Sequence, residues 1–345
     1  MTLRAEILQQ PAVLQELLGT QMSAVMRVAA AVHAREIEYV YLAARGTSEH
    51  AGIYAQYILG AYNKLPVALA APSLFTVYER PPQLTRALVV GVSQSGQSPD
   101  IVGVITEAQR QGAMTLAVTN DPDSPLARAA AYTLDIRAGV EHSVAATKTY
   151  TAELLVFAML SAALAGDTGR VAELERVPEA ARQALELEEQ AARAAEHFRE
   201  MSRCVVLGRG YHFATALEWS LKLKELTYIV ADRYSTAEFQ HGPIAMIEPG
   251  FPVLAVAPSD PGAAAVTALL SHLARERGAQ VLALSDDEAT LQAATIGLQL
   301  PAKVPPWLMP IVSILPAQLF CHHLTIARGI DANTPRGLSK VTLTT

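Results

Sequence analysis

Short β-prone apolar runs, each followed by a polar turn and a helical stretch, recur along this sequence. The first run, residues 39–44, ends in an Arg-Gly-Thr-Ser turn at 45–48, and helical spacing of apolar residues resumes from 49 to 59. Strands that alternate with helices and are almost continuously apolar are typical of parallel sheets covered by helices on both faces. Runs of the same kind follow at residues 87–92, 115–119, 133–136, 204–207, 253–257, 281–284 and 298–300.

The alternation falls into two halves. The apolar run at 204–207 is followed by a Gly-Arg-Gly turn, and the run at 39–44 is followed by an Arg-Gly turn. This shared order of strand and turn indicates a weak internal duplication. The 345 residues, 51% of them hydrophobic, are enough for two buried cores. We therefore predict an α/β fold of two tandem subdomains, each a parallel sheet flanked by helices in a flavodoxin-like three-layer sandwich. The predicted segments are an N-terminal helical segment (1–35), a first α/β domain (36–165), a helical connector (166–200), a second α/β domain (201–328) and a C-terminal tail (329–345).

Helical spacing also marks segments outside the alternation. Apolar residues predict an opening helix over 9–35 and a late helix over 308–326, and the Ala-, Leu- and Glu-rich stretch 150–201 predicts a pair of helices between the two halves. The turn-rich tail that begins at Gly329 is either a frayed terminus or a segment that folds back over a site.

Composition excludes several classes of protein. The net charge of −6 lacks the basic excess that contacts to a nucleic acid backbone require. Cys204 and Cys321 are far apart, so neither a disulfide framework nor a paired-cysteine metal site is indicated. The N-terminus lacks the pattern of a signal peptide, and the apolar stretch 154–166 is too short to cross a bilayer. We expect a cytoplasmic protein with no nucleic acid partner and no membrane association.

The loop after the strand at 87–92 is the strongest candidate for ligand binding. It reads Ser-Gln-Ser-Gly-Gln-Ser at 93–98 and leads into a helix, so hydroxyl groups and backbone N–H groups meet the positive end of a helix dipole. Capping of that helix would need only one such residue. The loop therefore predicts a site for a phosphate monoester. The shorter turn at 46–48 offers hydroxyl groups suited to sugar hydroxyls or, alternatively, to capping a neighbouring helix.

Nucleotide and zinc sites are weakly supported. Gly208-Arg209-Gly210 begins like a dinucleotide fingerprint, but Phe213 occupies the third glycine position, and no glycine-rich loop ending in Lys-Ser/Thr is present. The adjacent His322 and His323 would point in different directions on a helix, and no His-Glu-x-x-His pattern occurs.

Ionisable residues cluster in the second half. Glu218, Lys222 and Glu225 follow at steps of four and three, which places them on one face of a helix. This face is either a solvated salt-bridge surface or part of a site, and the apolar character of the other positions favours a site. Soon afterwards His241 precedes Gly-Pro in a turn, where an imidazole can transfer protons near neutral pH.

Taken together, these motifs resemble the sugar isomerase (SIS) domain family. The arrangement is similar to the isomerase part of glucosamine-6-phosphate synthase and, most closely, to the stand-alone glucosamine-6-phosphate deaminases. The matching motifs span nearly the whole chain: Arg-Gly-Thr-Ser at 45–48, Ser-Gln-Ser-Gly at 93–96, Val-Ala-Ala-Thr-Lys at 144–148, Leu-Lys-Leu-Lys-Glu at 221–225, Glu-Phe-Gln-His-Gly-Pro at 238–243 and Leu-Ser-Lys at 338–340.

The resemblance implies a role for each matched residue. The phosphate would bind to Ser93, Gln94, Ser95 and Ser98, and the sugar would face Thr47, Ser48, Val144 and Ser339. Glu225 would move a proton between the first two sugar carbons, supported by Lys222, and His241 would open the sugar ring. The C-terminal tail (329–345) would close over the active site, where Lys340 would lie beside the sugar and could form an imine with an open-chain ketose. In the synthases the histidine comes from a neighbouring subunit, so the resemblance implies a homodimer with His241 contributed across the interface.

The expected activity is deamination of glucosamine 6-phosphate to fructose 6-phosphate and ammonia. The synthases carry an N-terminal glutamine-hydrolysing domain with a terminal cysteine, whereas this sequence begins Met1-Thr2, so we expect it not to obtain ammonia from glutamine. The proton transfer needs neither a metal nor an organic cofactor. Alternatives are an aldose–ketose isomerase, an ammonia-dependent synthase, a fructosamine phosphate deglycase and, outside enzymes, a phosphosugar sensor, against which the joint presence of Glu225, His241 and Lys340 argues.

Overall fold

The computed structural model of the protein describes residues 2–340. Within this range the chain forms two compact α/β units. The first unit comprises Ala12–Glu141, Lys148–Glu175 and the tail from Ser339, and the second comprises the N-terminal stretch to Pro11, His142–Thr147 and Arg176–Leu338. The predicted C-terminal tail (329–345) extends past this range, so its residues 341–345 lie outside the described part of the chain.

The first unit contains one five-stranded parallel sheet in the order β2-β1-β3-β4-β5. Strands β1, β3 and β4 are almost wholly buried, and Val89, Ile101, Val104 and Leu126 are in the core on one face of the sheet. The elements are α1 (Leu3–His33, which begins in the second unit), β1 (Tyr39–Ala43), α2 (Gly46–Asn63), β2 (Val67–Leu69), α3 (Ser73–Thr76), β3 (Ala87–Val92), α4 (Pro99–Arg110), β4 (Met114–Thr119), α5 (Pro125–Ala129), β5 (Tyr132–Asp135), α6 (Lys148–Ala165) and α7 (Thr168–Leu174).

The second unit repeats this plan. Its five parallel strands lie in the order β10-β9-β8-β6-β7, which is the strand order of the first sheet when each strand is numbered within its own unit. The elements are α8 (Val177–Leu185), α9 (Glu188–His197), β6 (Arg203–Gly208), a 3-10 helix (Gly210–His212), α10 (Phe213–Thr227), β7 (Val230–Ser235), α11 (Thr236–Phe239), a second 3-10 helix (Pro243–Met246), β8 (Pro252–Val256), α12 (Ala263–Arg275), β9 (Gln280–Ser285), α13 (Glu288–Ala293), β10 (Ile296–Gln299) and α14 (Met309–Ala327).

The predicted α/β class with two parallel sheets is confirmed, and the eight predicted strands are all present within a few residues of their expected bounds. Two strands were missed because sequence periodicity does not reveal them. Strand β2 has only three residues, and β7 contains Asp232 and Arg233 and lies at a sheet edge. The stretch 150–201 contains more helices than the predicted pair, since α6, α7, α8 and α9 all fall in or overlap it.

Two helices are long and apolar enough to cross a membrane by length and composition alone. These are α6 and α14, and 94% and 89% of their apolar windows are buried inside the fold. Every residue of α6 from Lys148 to Leu164 is buried. The apolar stretch 154–166, expected to be too short to cross a bilayer, lies almost wholly in a helix that is long enough by this measure, but both helices have the burial of core helices.

Candidate active site

The strand order of the first sheet determines where a ligand would bind. Strands β1 and β3 are neighbours in the sheet. The chain leaves β1 toward β2, at one edge of the sheet, and leaves β3 toward β4, in the direction of the other edge. In open parallel sheets, ligands bind outside the carboxyl ends of the strands at such a switch point. The loops at this position are the Arg-Gly-Thr-Ser turn after β1 and the serine-rich loop (residues 93–98) after β3.

The serine-rich loop is a compact turn that leaves polar groups available. Gly96 N–H donates to Ser93 Oγ over 3.2 Å, and Gln97 N–H donates to Ser95 Oγ over 3.3 Å. Gly96 has φ +61°, and a Cβ atom at this position would overlap the side chain of Ser124. The loop therefore requires glycine at position 96 for its close approach to the residue that caps α5.

Helix capping does not account for the hydroxyl groups of this loop. Ser98 is the N-cap of α4, but its side chain accepts no capping hydrogen bond from the described backbone. Its Oγ lies 3.5 Å from Ser93 Oγ. Ser93 is buried, whereas Gln94, Ser95 and Ser98 are partly exposed. The residues predicted to bind phosphate thus lie together at the start of a twelve-residue helix, where the helix dipole favours an anion.

A charged pair connects the two loops. Arg45 Nε lies 2.9 Å from Asp100 Oδ2, and the side chain of Asp100 is 1% exposed whereas that of Arg45 is 52% exposed. Asp100 lies in the first turn of α4. The pair holds a cationic guanidinium beside the serine-rich loop, and the sequence motifs gave no role to Asp100.

The hydroxyl group of Ser48 contacts protein rather than the open edge of the sheet. It donates to Glu153 Oε1 over 2.9 Å, and both side chains are buried. Thr47 lies beside it at the start of α2 and is partly exposed. Of the two hydroxyls predicted to face the sugar from this turn, Thr47 is therefore the more accessible.

Lys340, in the C-terminal tail, belongs to the first unit and forms an ion pair with a buried carboxylate. Its Nζ lies 2.6 Å from Glu141 Oε2, and the side chain of Glu141 is 0% exposed. Glu141 also accepts hydrogen bonds from the hydroxyl and the backbone N–H of Thr149. Ser339, which was predicted to face the sugar, precedes Lys340 in sequence and is exposed. Sequence reasoning did not single out Glu141.

In the second unit, Lys222 is enclosed by two carboxylates on α10. Its Nζ lies 3.2 Å from Glu218 Oε1 and 2.6 Å from Glu225 Oε2. Lys222 and Glu218 are 1% and 0% exposed, whereas the side chain of Glu225 is 23% exposed. The predicted helical face exists, but it is buried, so it is not a solvated salt-bridge surface.

The burial of this trio has an electrostatic consequence. Burial alone would lower the pKa of Lys222, but attraction to Glu218 and Glu225 outweighs it and raises the pKa of the ammonium group. Lys222 is therefore a fixed cation at neutral pH. Glu225 is the only carboxylate of the trio that is partly open to solvent, so it is the one that a substrate could reach.

The remaining predicted residues of the second unit lie in short segments. His241 is exposed in the turn between α11 and the second 3-10 helix, and its backbone N–H donates to Glu238 O. Val144 is partly exposed in the segment His142–Thr147, whose backbone at Ser143 donates to the buried carboxylate of Glu6 over 3.0 Å.

The predicted site residues are thus divided between the units. The first unit brings together the serine-rich loop, the Arg45–Asp100 pair and the Thr47 turn at one sheet edge, and it also contains Lys340. The second unit holds Lys222 and Glu225 in one cluster, and it also contains His241 and Val144.

Family comparison agrees with both halves of this arrangement. The model of the SIS domain matches residues 35–163 and again residues 197–328. This chain belongs to the SIS domain family. As a tandem SIS protein it carries one matched domain on each five-stranded sheet.

Named relatives of this SIS protein include the glutamine–fructose-6-phosphate aminotransferase (isomerizing) of Thermus thermophilus. The two are 34% identical over an alignment of 349 positions, which covers 97% of this chain and 57% of that relative. The chain therefore spans little more than half the length of that protein.

Solved structures extend the comparison. A Silicibacter pomeroyi protein assigned as a phosphosugar isomerase is 37% identical, with a TM-score of 0.87 over 96% of this chain and 100% of the other. The glucosamine-6-phosphate deaminase of Thermotoga maritima shares the fold, with a TM-score of 0.79 over the full length of both chains at 21% identity. At that identity the likeness to the deaminase shows the fold alone.

Proposed function

We propose that this SIS protein converts glucosamine 6-phosphate and water to fructose 6-phosphate and ammonia. The observation that carries the proposal is the carboxylate–ammonium–carboxylate cluster on α10, in which Lys222 is fixed between two carboxylates and only Glu225 is open to solvent. A base held against a permanent cation suits proton transfer between adjacent carbons, because the cation stabilises the negative charge that develops on oxygen.

The reaction divides into steps that the residues can serve. After ring opening, for which His241 is the proposed acid–base group, Glu225 removes the proton from C2 of the open-chain aldehyde and gives an enolamine. Return of that proton to C1 gives an imine at C2. Water then adds to the imine carbon and ammonia leaves, which yields the ketone of fructose 6-phosphate. Lys222 would stabilise the charge on the C1 oxygen in the first step.

The phosphate end of the substrate would bind in the first unit. Ser95, Ser98 and Gln94 are partly exposed at the N-terminus of α4, and Arg45 adds a cation at the same sheet edge. Thr47 and Ser339 are the accessible hydroxyls of the first unit that we assign to the sugar, and the role of Val144 stays a prediction from the resemblance. Ser48, whose hydroxyl is bonded to Glu153, would act mainly by fixing the turn.

The choice of an amino sugar is supported by the names of relatives rather than by a contact. The Thermus relative is named for transfer of an amino group to fructose 6-phosphate, and the Thermotoga structure is a glucosamine-6-phosphate deaminase. An aldose–ketose isomerase, an ammonia-dependent synthase and a fructosamine phosphate deglycase would use the same proton transfer. A phosphosugar sensor would need no buried acid–base cluster.

The test is ammonia release from glucosamine 6-phosphate by the purified chain. Glu225→Gln should reduce turnover by roughly a hundred- to ten-thousand-fold while substrate affinity persists. Lys224→Gln is a matched control because Lys224 precedes Glu225 on α10, and the charged side chains that act on it are Asp232 and Arg233 of β7 rather than the Lys222 cluster. The turnover of this variant should stay near wild type. Exchange of the C2 proton with deuterium without ammonia release would favour an isomerase. Full activity in Glu225→Gln would refute the proposed base.

We also propose that the active form is a cytoplasmic homodimer in which His241 completes the partner's site. The exposure of His241 in a single chain supports this arrangement, and the free buried cysteines Cys204 and Cys321 are compatible with a reducing compartment. Mixing inactive Glu225→Gln and His241→Ala chains should restore part of the activity in heterodimers. Verified heterodimers without activity would show that each site is built within one chain.

A further inference from the structure

We infer that Glu141 is a positioning residue that fixes Lys340 of the C-terminal tail. The inference rests on the proposed function and on the expectation from the resemblance that Lys340 lies beside the sugar. The two residues are 199 positions apart in sequence, yet Lys340 Nζ lies 2.6 Å from Glu141 Oε2. The side chain of Glu141 is wholly buried, and that of Lys340 is 24% exposed.

Thr149 holds the carboxylate of Glu141 independently of Lys340. The hydroxyl of Thr149 donates to Oε2 over 2.8 Å, and the backbone N–H of Thr149 donates to Oε1 over 3.3 Å. Thr149 is buried in the first turn of α6, where backbone N–H groups have no partner within the helix and the helix dipole favours an anion. Both oxygens of Glu141 therefore have assigned donors.

Burial makes this ion pair different from a surface pair. An exposed salt bridge contributes little to stability because water screens it. A buried carboxylate that loses its cation keeps the cost of its desolvation, so separating Lys340 from Glu141 is unfavourable. The pair therefore fixes the position of Ser339 and Lys340 on the first unit, although Ser339 itself is exposed.

The geometry assigns different roles to the two residues. Glu141 is covered and its oxygens are occupied, so it is not placed to touch a substrate. A quarter of the Lys340 side chain is open to solvent, so Lys340 could contact a sugar while it stays paired with the carboxylate. Glu141 would thus act through Lys340, by setting where that cation lies.

The first test measures Lys340 without any substrate. In Glu141→Gln, the amide oxygen can still accept from Thr149 but the negative charge is gone. We expect acylation of Lys340 by acetic anhydride, followed by mass spectrometry, to become several-fold faster, while Lys64, an exposed lysine of the same unit, reacts at an unchanged rate and serves as the internal reference. Equal Lys340 rates in the folded variant and the wild type would overturn the inference.

The second test uses a double-mutant cycle on turnover. Glu141→Gln and Lys340→Gln should each lower kcat more than they raise KM, and the double variant should be no worse than Lys340→Gln alone. Additive losses in kcat would show that Glu141 does not act through Lys340. Thr149→Val, which removes one donor to Glu141 and keeps its charge, leaves more of the carboxylate's negative charge to Lys340, so it should slow acylation of Lys340. This variant provides a test if Glu141→Gln fails to fold.

The two tests also separate this inference from the proposed function. If wild-type protein releases no ammonia but acylation of Lys340 still depends on Glu141, the positioning role stands and the proposed reaction is wrong. If ammonia is released and acylation is unaffected by Glu141→Gln and by Thr149→Val, the reaction stands and the positioning role is wrong.

Discussion

Arg45 and Arg209 occupy matching positions in the two sheets and have nearly the same backbone conformation. Arg45 follows β1 with φ −137° and ψ 151°, and Arg209 follows β6 with φ −143° and ψ 148°. The next residue in each case is a glycine with positive φ, +53° for Gly46 and +57° for Gly210. The faint sequence duplication therefore corresponds to the same strand-to-helix turn at the switch point of each sheet.

Replacing the glycine of each turn by alanine should lower stability to a similar extent, but only the change in the first turn should affect phosphosugar binding. Gly46→Ala and Gly210→Ala each force a side chain into left-handed backbone with no atom within 4 Å to clash, so each should lower the free energy of unfolding by about 1 kcal/mol. Only Gly46→Ala should also weaken phosphosugar binding, because only the first turn adjoins the serine-rich loop. Calorimetry and denaturant titration of both variants check this, and equal losses of affinity would contradict the assignment of phosphate to the first unit.

The serine-rich loop should be highly sensitive at Gly96. Its Cβ would overlap the side chain of Ser124 in addition to the strain of φ +61°, so Gly96→Ala must displace the loop or the α5 cap. We expect loss of measurable phosphosugar affinity and a fall of several kcal/mol in unfolding free energy. Gly112→Ala is the matched control, since Gly112 has φ +79° with no neighbouring atom, and it should cost about 1 kcal/mol and leave affinity intact.

Sequence periodicity predicted the strands that are buried, because a parallel strand covered on both faces reads as a continuous apolar run. It missed β7, whose Asp232 and Arg233 reflect its edge position, and the three-residue β2. For the candidate site, the step of four and three residues placed Glu218, Lys222 and Glu225 on one helical face.

Contacts between segments that are distant along the chain could not be predicted from the sequence. The pairing of Glu141 with Lys340 and that of Ser48 with Glu153 join residues 199 and 105 positions apart, and no local pattern specifies such partners. The spacing on α10 likewise left open whether that face is solvated, since burial depends on what packs against the helix. The motif resemblance included Lys340 but not Glu141, whose carboxylate pairs with it.

Glu218 should support both stability and turnover although it is not open to substrate. It is fully buried, 3.2 Å from Lys222, so Glu218→Gln leaves the buried ammonium with one carboxylate. We expect a loss of about 3 kcal/mol in unfolding free energy. Because Glu218 also holds the Lys222 ammonium beside Glu225, kcat should fall by roughly ten-fold or more.

The control for this variant is Glu189→Gln. Glu189 pairs with Arg193 over 2.6 Å, but its side chain is 86% exposed, so its loss should change the free energy of unfolding by less than about 0.5 kcal/mol. Denaturant titration of both variants makes the comparison. A Glu218→Gln protein as stable and active as the Glu189→Gln protein would show that the second carboxylate is dispensable.

His212 should make the protein less stable as the pH falls from neutral. The side chain is 2% exposed, neither ring nitrogen has a hydrogen-bond partner among the described residues, and the nearest carboxylate oxygen recorded for it, Asp260 Oδ2, lies 3.6 Å from Nε2. Burial lowers the pKa of His212 to about 3 from an ordinary value of 6.5. The imidazole is therefore neutral in the folded protein throughout the range in which it becomes protonated in the unfolded chain.

The sign of the effect follows from proton uptake. Between pH 6.5 and 3 the unfolded state binds one more proton at this histidine than the folded state, so the free energy of unfolding decreases as pH falls, by about 1.4 kcal/mol for each pH unit. His212→Asn should remove this dependence. From pH 7 to pH 5, where most carboxylates stay ionised, the wild type should lose about 2 kcal/mol more than the variant in denaturant titrations. An unchanged slope in His212→Asn would mean that His212 becomes protonated in the folded state.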